Sequence, residues 1–328
     1  MKKIFLFLCF SVSVATSSAQ DCTKELLAQK PGTWKAGSQG SVKNIVPADL
    51  VKEKLVLAAV YKMVSTNYSP TGCQVDYSYV FGKYPGEGQN FIADPYQYAM
   101  YILRYVCDNN SADKSKFYID GETPTTVNIT ANVIFSLNNL YAANIPADDF
   151  RGYLKLKERP QKKDGYYFMG EEVVGDRGTS SEIKEYRWLV TYNDTLPFYY
   201  VSQKEYLLIQ KKRMEQTIKE EGASDFYNKF LNNINEFLKQ PDAALSGPAI
   251  CPQNDEQRFT GFVKEGTPGS FFAVKPNLDY YRKKLPRSSP QFFTVIYKIS
   301  KGDPVFENNI AAIKKAVDFA ALKNMLGK

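Results

Sequence analysis

CQVDYSYVF at residues 73–81 and YQYAMYILRYVC at residues 96–107 set the fold. In the first, Val75, Tyr77, Tyr79 and Phe81 alternate with Asp76 and Ser78, the period of a half-buried strand, and Pro85-Gly86-Glu87-Gly88 ends the run. The second is tyrosine-rich and reads as a strand, although its length also admits a helix. An antiparallel hairpin centred near residue 90 sets Cys73 opposite Cys107, Val75 opposite Tyr105, Tyr77 opposite Leu103 and Tyr79 opposite Tyr101. One register then accounts for a disulfide and a continuous apolar face. On the other face it sets Asp76 opposite Arg104, with Met100 and Ile102 beside the arginine.

Working outward, PADLVKEKLVLAAVYKMVS (47–65) opens on a proline suited to a first helical turn. It carries apolar residues at Leu50, Val51, Leu55, Ala58, Ala59 and Tyr61, close to helical spacing. Strands follow at 116–120 and at 125–135, where Val127, Ile129, Ala131 and Val133 alternate. The first half is thus a helix packed on an antiparallel sheet, an α+β arrangement of the cystatin-like or cone-like kind. The polar stretch 138–150 marks a boundary, giving an N-terminal part at 21–145 and a second α+β part at 146–328.

The second part opens with short β-like runs at 153–157, 166–169, 186–191 and 197–201. Ser202-Gln203-Lys204-Glu205 is a capping box, in which hydroxyl and carboxylate satisfy exposed N–H groups at the start of a helix reaching Glu221. A second helix at 224–239 carries Phe226, Phe230, Ile234, Phe237 and Leu238 on one stripe, completing a helical hairpin. Strands at 258–264, 270–275 and 291–299 precede a C-terminal helix opened by Asp303-Pro304.

The first twenty residues have the form of an export signal: Lys2-Lys3, an apolar run from Ile4 to Ala15, and small residues at Ser17 and Ala19. Roughly a dozen apolar residues fall short of a bilayer span. Removing Lys2 and Lys3 lowers the formal charge from +7 to +5, too dilute to imply a nucleic-acid surface. Periplasmic or secreted residence agrees with the cysteines, since Cys22, Cys73, Cys107 and Cys251 remain as an even set. With Cys73 and Cys107 assigned by register, Cys22 and Cys251 are left to pair.

Segments LPFYYVSQKEYL (196–207) and LPRSSPQ (285–291) resemble exported proteins of Bacteroidetes that carry no assigned activity, and the Ala19-Gln20 signal ending fits that source. The resemblance implies localisation alone.

The chain contains no histidine, which removes Ser-His-Asp and Cys-His catalysis and histidine-ligated zinc. Ser111-Ala112-Asp113-Lys114 and Ser181-Glu182-Ile183-Lys184 fit S-x-x-K, a motif short enough to arise by composition. Asp108 to Asp113 starts like a calcium loop without its glycine and final glutamate, and Gly37-Ser38-Gln39-Gly40 is not a phosphate loop. No cofactor or metal is implied. Carboxylate chemistry survives, with Glu171, Glu172, Asp176, Glu182 and Glu185 as candidates. Arg104, with Asp76, Met100 and Ile102, is the candidate binding group, because a guanidinium on a half-apolar sheet face suits an anionic ligand or partner. The sequence therefore points to an exported, non-catalytic binding or envelope-interaction protein for a glycan, a peptide or an envelope protein. A carboxylate-dependent hydrolase acting on glycans is the alternative.

Overall fold

The computed structural model describes residues 21–37, 42, 45–81, 93–122, 124–133, 153–253 and 259–328. The export signal, the turn at 85–88, Gly37-Ser38-Gln39-Gly40 beyond its first residue, and the connection at 138–150 lie outside them. Among the described residues no helix is long and apolar enough to cross a membrane.

The chain is α+β, built on a nine-stranded sheet and a smaller four-stranded one. Helix α1 (Lys24–Gln29) leads to strand β1 (Thr33–Ala36), which lies parallel to β2 (Cys73–Phe81). Between them runs α2 (Pro47–Asn67). Strand β3 (Tyr96–Cys107) pairs with β2, with the short β4 (Phe117–Ile119) at its far end, and with β5 (Thr126–Ala131). Next to β5 lies β13 (Phe293–Ser300), from the other end of the chain. The sheet continues through β9 (Ile183–Val190), β8 (Tyr166–Gly175) and β7 (Gln161–Lys163). It therefore takes strands from both sides of residue 146, and the chain does not separate there into one sheet per half.

The hairpin register is 75↔102 rather than 75↔105, a shift of three residues along β3. An odd shift turns β3 over. Tyr98, Met100 and Ile102, not Ala99, Tyr101 and Leu103, share the apolar face of β2 and are fully buried there. Cys73 stands opposite Arg104, and Cys107 bonds to Cys22 with Cα atoms 5.7 Å apart. The expected Cys73–Cys107 and Cys22–Cys251 bonds are both replaced; Cys73 and Cys251 are buried thiols in separate cores.

Helix α2 seats Glu53, Leu57, Val60 and Val64 on the sheet. The stripe read from sequence is displaced, since Val51 and Leu55 are 58% and 65% exposed. Both sides of this helix carry aliphatic residues, so spacing alone does not choose the inner face. Beside it packs α5 (Pro304–Ala316), through Phe306, Ile310 and Ile313, followed after a break at Val317 by α6 (Phe319–Met325). Asn309 of α5 accepts from the Tyr68 hydroxyl at 2.5 Å and bonds both backbone groups of Thr71, fixing it to the end of α2.

The small sheet is centred on β12 (Phe271–Pro276), flanked by β10 (Phe198–Tyr200) and β11 (Ile250–Cys251) on one side and β6 (Leu154–Leu156) on the other. Its inner face, with Leu154, Leu156, Phe272 and Val274, meets Met169 and Leu189 of the large sheet and Phe292 just ahead of β13. Its outer face is covered by the hairpin of α3 (Gln203–Glu221) and α4 (Asp225–Leu238). The layers run helices, large sheet, small sheet, helical hairpin. Residues 259–264, expected as a strand, are irregular, and Phe259 fills the core under α4. Ser202 caps α3 by accepting from the Glu205 N–H at 3.1 Å. Glu205 does not return the bond: its carboxylate faces Lys275 at 3.3 Å and accepts from Tyr199 at 3.0 Å.

Candidate functional site

Where β8 and β9 run past the end of the small sheet they leave a cleft of about 520 Å³. One wall is β6 and the residues after it: Lys155, Leu156, Lys157 and Glu158. The other is Met169 to Glu172 of β8 with Glu185 and Arg187 of β9; Arg177, Gln253 and Gly269 to Phe271 complete the lining.

The β9 side follows from strand alternation. Leu189 faces the small sheet, so Arg187 and Glu185 on the same face do too, while Trp188 packs against Phe319 of α6. On β8 two register irregularities, at Phe168/Gly170 and Val173/Gly175, re-aim the strand. Gly170 sits in the first with φ +112°, and a methyl group there would collide with the Glu158 carboxylate. The positive φ favours glycine there, and a side chain would also make the exposed Glu158 swing aside.

The bulges bring Glu172 opposite Glu185. Like charges facing across strands repel, and Arg187 answers them, with its Nε 2.5 Å from Glu185 and its terminal nitrogen 3.6 Å from Glu172. Alongside, Lys184 pairs with Glu171 and lies 3.8 Å from Glu182. The Lys184 ammonium holds the Glu171 carboxyl below its usual range. Lys155 lies over the Phe271 ring at 4.5 Å. The lining carries four cations, Lys155, Lys157, Arg177 and Arg187, and four carboxylates, Glu158, Glu171, Glu172 and Glu185, so its formal charge is zero.

Of the five carboxylates singled out from sequence, Glu172 and Glu185 meet in the cleft, whereas Glu171, which also lines it, turns its carboxylate to Lys184 and Tyr186 on the other face of the sheet. The other two do not line it: Asp176 occupies a turn at φ +47°, and Glu182 accepts from the Gly178 N–H and faces Lys184 and Lys301. The structure does not bring the group around Arg104 together. Met100 and Ile102 are core residues, and Asp76 lies opposite Tyr101, accepting from Gln74 at 2.6 Å. Arg104 instead binds Asp120 at 3.1 Å and Asp303 at 2.9 Å. Neither S-x-x-K pair is a dyad, because Lys114 donates to the Asn109 carbonyl and Lys184 is taken by Glu171. Among the described residues no three cysteine or carboxylate side chains are placed to share a metal ion.

Sequence reasoning missed Glu158, Arg187 and Gly170, whose meeting depends on two bulges and on packing between sheets. No protein-family model, curated protein or solved structure matches this chain.

Proposed function

We propose that this is an exported binding protein whose cleft holds a neutral, hydroxyl-rich ligand, a glycan, without turning it over. The balanced lining carries this reading: its four acidic and four basic residues leave no net charge to draw a polyanion, and Glu172, Glu185 and Arg187, which share the cleft face, offer acceptors and donors to hydroxyl groups. The export-type leader, the Cys22–Cys107 bond and the resemblance of 196–207 and 285–291 to exported proteins support residence outside the cytoplasm.

The hydrolase reading has one observation in its favour, the Glu172–Glu185 juxtaposition, since cross-strand partners have Cβ atoms about 5 Å apart and retaining glycosidases hold their carboxyls at about 5–5.5 Å. Such an enzyme needs one carboxyl as a proton donor. Here a guanidinium stands between the two and pairs with both, an arrangement for anions. A thermal-shift screen of residues 21–328 against oligosaccharides, cell-wall fragments and peptides separates the readings. A ligand at 100 times its Kd adds about 2.7 kcal/mol of stability. Stabilisation by a glycan with no release of reducing ends is expected; release of reducing ends that is abolished in Glu172→Gln establishes the hydrolase instead.

A further inference from the structure

Far from the cleft, at the corner where α2 starts and β3 begins, Glu53 is fully buried and neither of its carboxylate oxygens has a hydrogen-bond partner. The charged groups facing it come from three elements. Asp49 lies one turn earlier on α2 and accepts from the Ser288 hydroxyl at 2.6 Å. Asp94, just ahead of β3, is gripped by Arg287 at 2.8 and 2.9 Å, and its N–H donates to the Arg287 carbonyl. Tyr96, in the same group, donates to the Ser288 carbonyl at 2.9 Å. Arg287 is thus committed to Asp94, and Glu53 faces two carboxylates with no cation of its own.

A carboxylate in that position carries the full cost of desolvation with no bond to offset it. A neutral carboxyl, equally unbonded, escapes the far larger cost of burying a charge. We propose that Glu53 is a proton-operated latch: with its proton on, it seats the first half of α2 against residues 93–95 and 287–291, and with the proton off it drives that corner open. Burial first, then the charges of Asp94 and Asp49, against a smaller opposing effect of Arg287, push its pKa up to about 8. The folded state then holds a proton that the unfolded chain gives up near the ordinary carboxyl value, so the stabilisation is complete at acid pH. It is lost as pH rises towards 8 and is constant above that.

The test is denaturant unfolding and backbone hydrogen exchange of wild type and Glu53→Gln across pH 5 to 9, with exchange corrected for its intrinsic pH dependence. Glutamine copies the protonated shape and does not titrate. The latch predicts that the wild-type folding constant falls relative to the variant by up to tenfold per pH unit up to about pH 8. It also predicts that at pH 9 the amides of 49–57, 93–95 and 287–291 are deprotected in wild type alone. Asp49→Asn, which removes one neighbouring charge, moves the midpoint to lower pH. Parallel pH profiles for wild type and Glu53→Gln overturn the proposal. So does unchanged protection of these amides at pH 9, or a midpoint that Asp49→Asn leaves in place.

Discussion

Arg104 and Arg187 each stand between two carboxylates, and what surrounds them separates their roles. Arg104 ties β3 to Asp120 after β4 and to Asp303, which caps α5 by accepting from the Val305 N–H at 2.9 Å. Its side chain is 42% exposed, so Arg104→Leu is expected to cost only about 1–2 kcal/mol in urea unfolding, with ligand affinity unchanged. Arg187→Met leaves Glu172 facing Glu185 uncompensated and is expected to abolish ligand-induced stabilisation while lowering the melting temperature modestly. Gly170→Ala should lose about 1–3 kcal/mol, from its positive φ and from displacing Glu158, and affinity should fall with it. At this scale the sequence displays chemistry better than position. The run Glu171-Glu172 is plain to read, whereas Glu53 sits in Lys52-Glu53-Lys54, which has the composition of a solvated turn. Only its spacing of four, seven and eleven from Leu57, Val60 and Val64 places it on the inner face.

Among the elements, β3 shows what periodicity leaves undecided. Its two faces are Tyr98-Met100-Ile102 and Ala99-Tyr101-Leu103, both apolar, so two registers three residues apart look equally good. The cysteine at each end then favoured the wrong partner, because a bond to Cys22 requires knowing that the N-terminal segment returns to β4, where the Cys22 N–H donates to the Lys114 carbonyl at 2.8 Å. That bond closes a separation of 85 residues, and replacing Cys22 and Cys107 by alanine is expected to lower stability by about 2–4 kcal/mol in denaturant unfolding. Burial raises the Cys73 thiol pKa to about 12. Iodoacetamide should therefore leave Cys73 unmodified in the native protein and label it after unfolding in denaturant, as read by peptide mass spectrometry. Elements with caps were far more legible: Ser202, Ser224 and Asp303 each bond the backbone at the starts of α3, α4 and α5.

For the whole molecule, the decisive feature is the insertion of β13 between β5 and β9. Local pattern marks 291–299 as a strand but carries no information on which sheet receives it, so an α+β class was readable and the shared sheet was not. A consequence is that residues 21–145 lack the strand and the helices α5 and α6 that complete their core. Expressed alone they are expected to give a far-UV spectrum and amide dispersion of an unfolded chain; a cooperative unfolding transition of that fragment would show a self-sufficient half. The same pairing of sheets builds the cleft, because one wall belongs to each. The proposal for the cleft is that it binds a neutral glycan without cleaving it. Isothermal titration of wild type and Arg187→Met with a panel of neutral oligosaccharides and uncharged peptides, with reducing ends assayed in the same samples, tests it most directly. Saturable heat with an oligosaccharide, absent in the variant, and no new reducing ends are expected. Heat with peptides alone, heat unchanged in Arg187→Met, or hydrolysis of the oligosaccharide would contradict it.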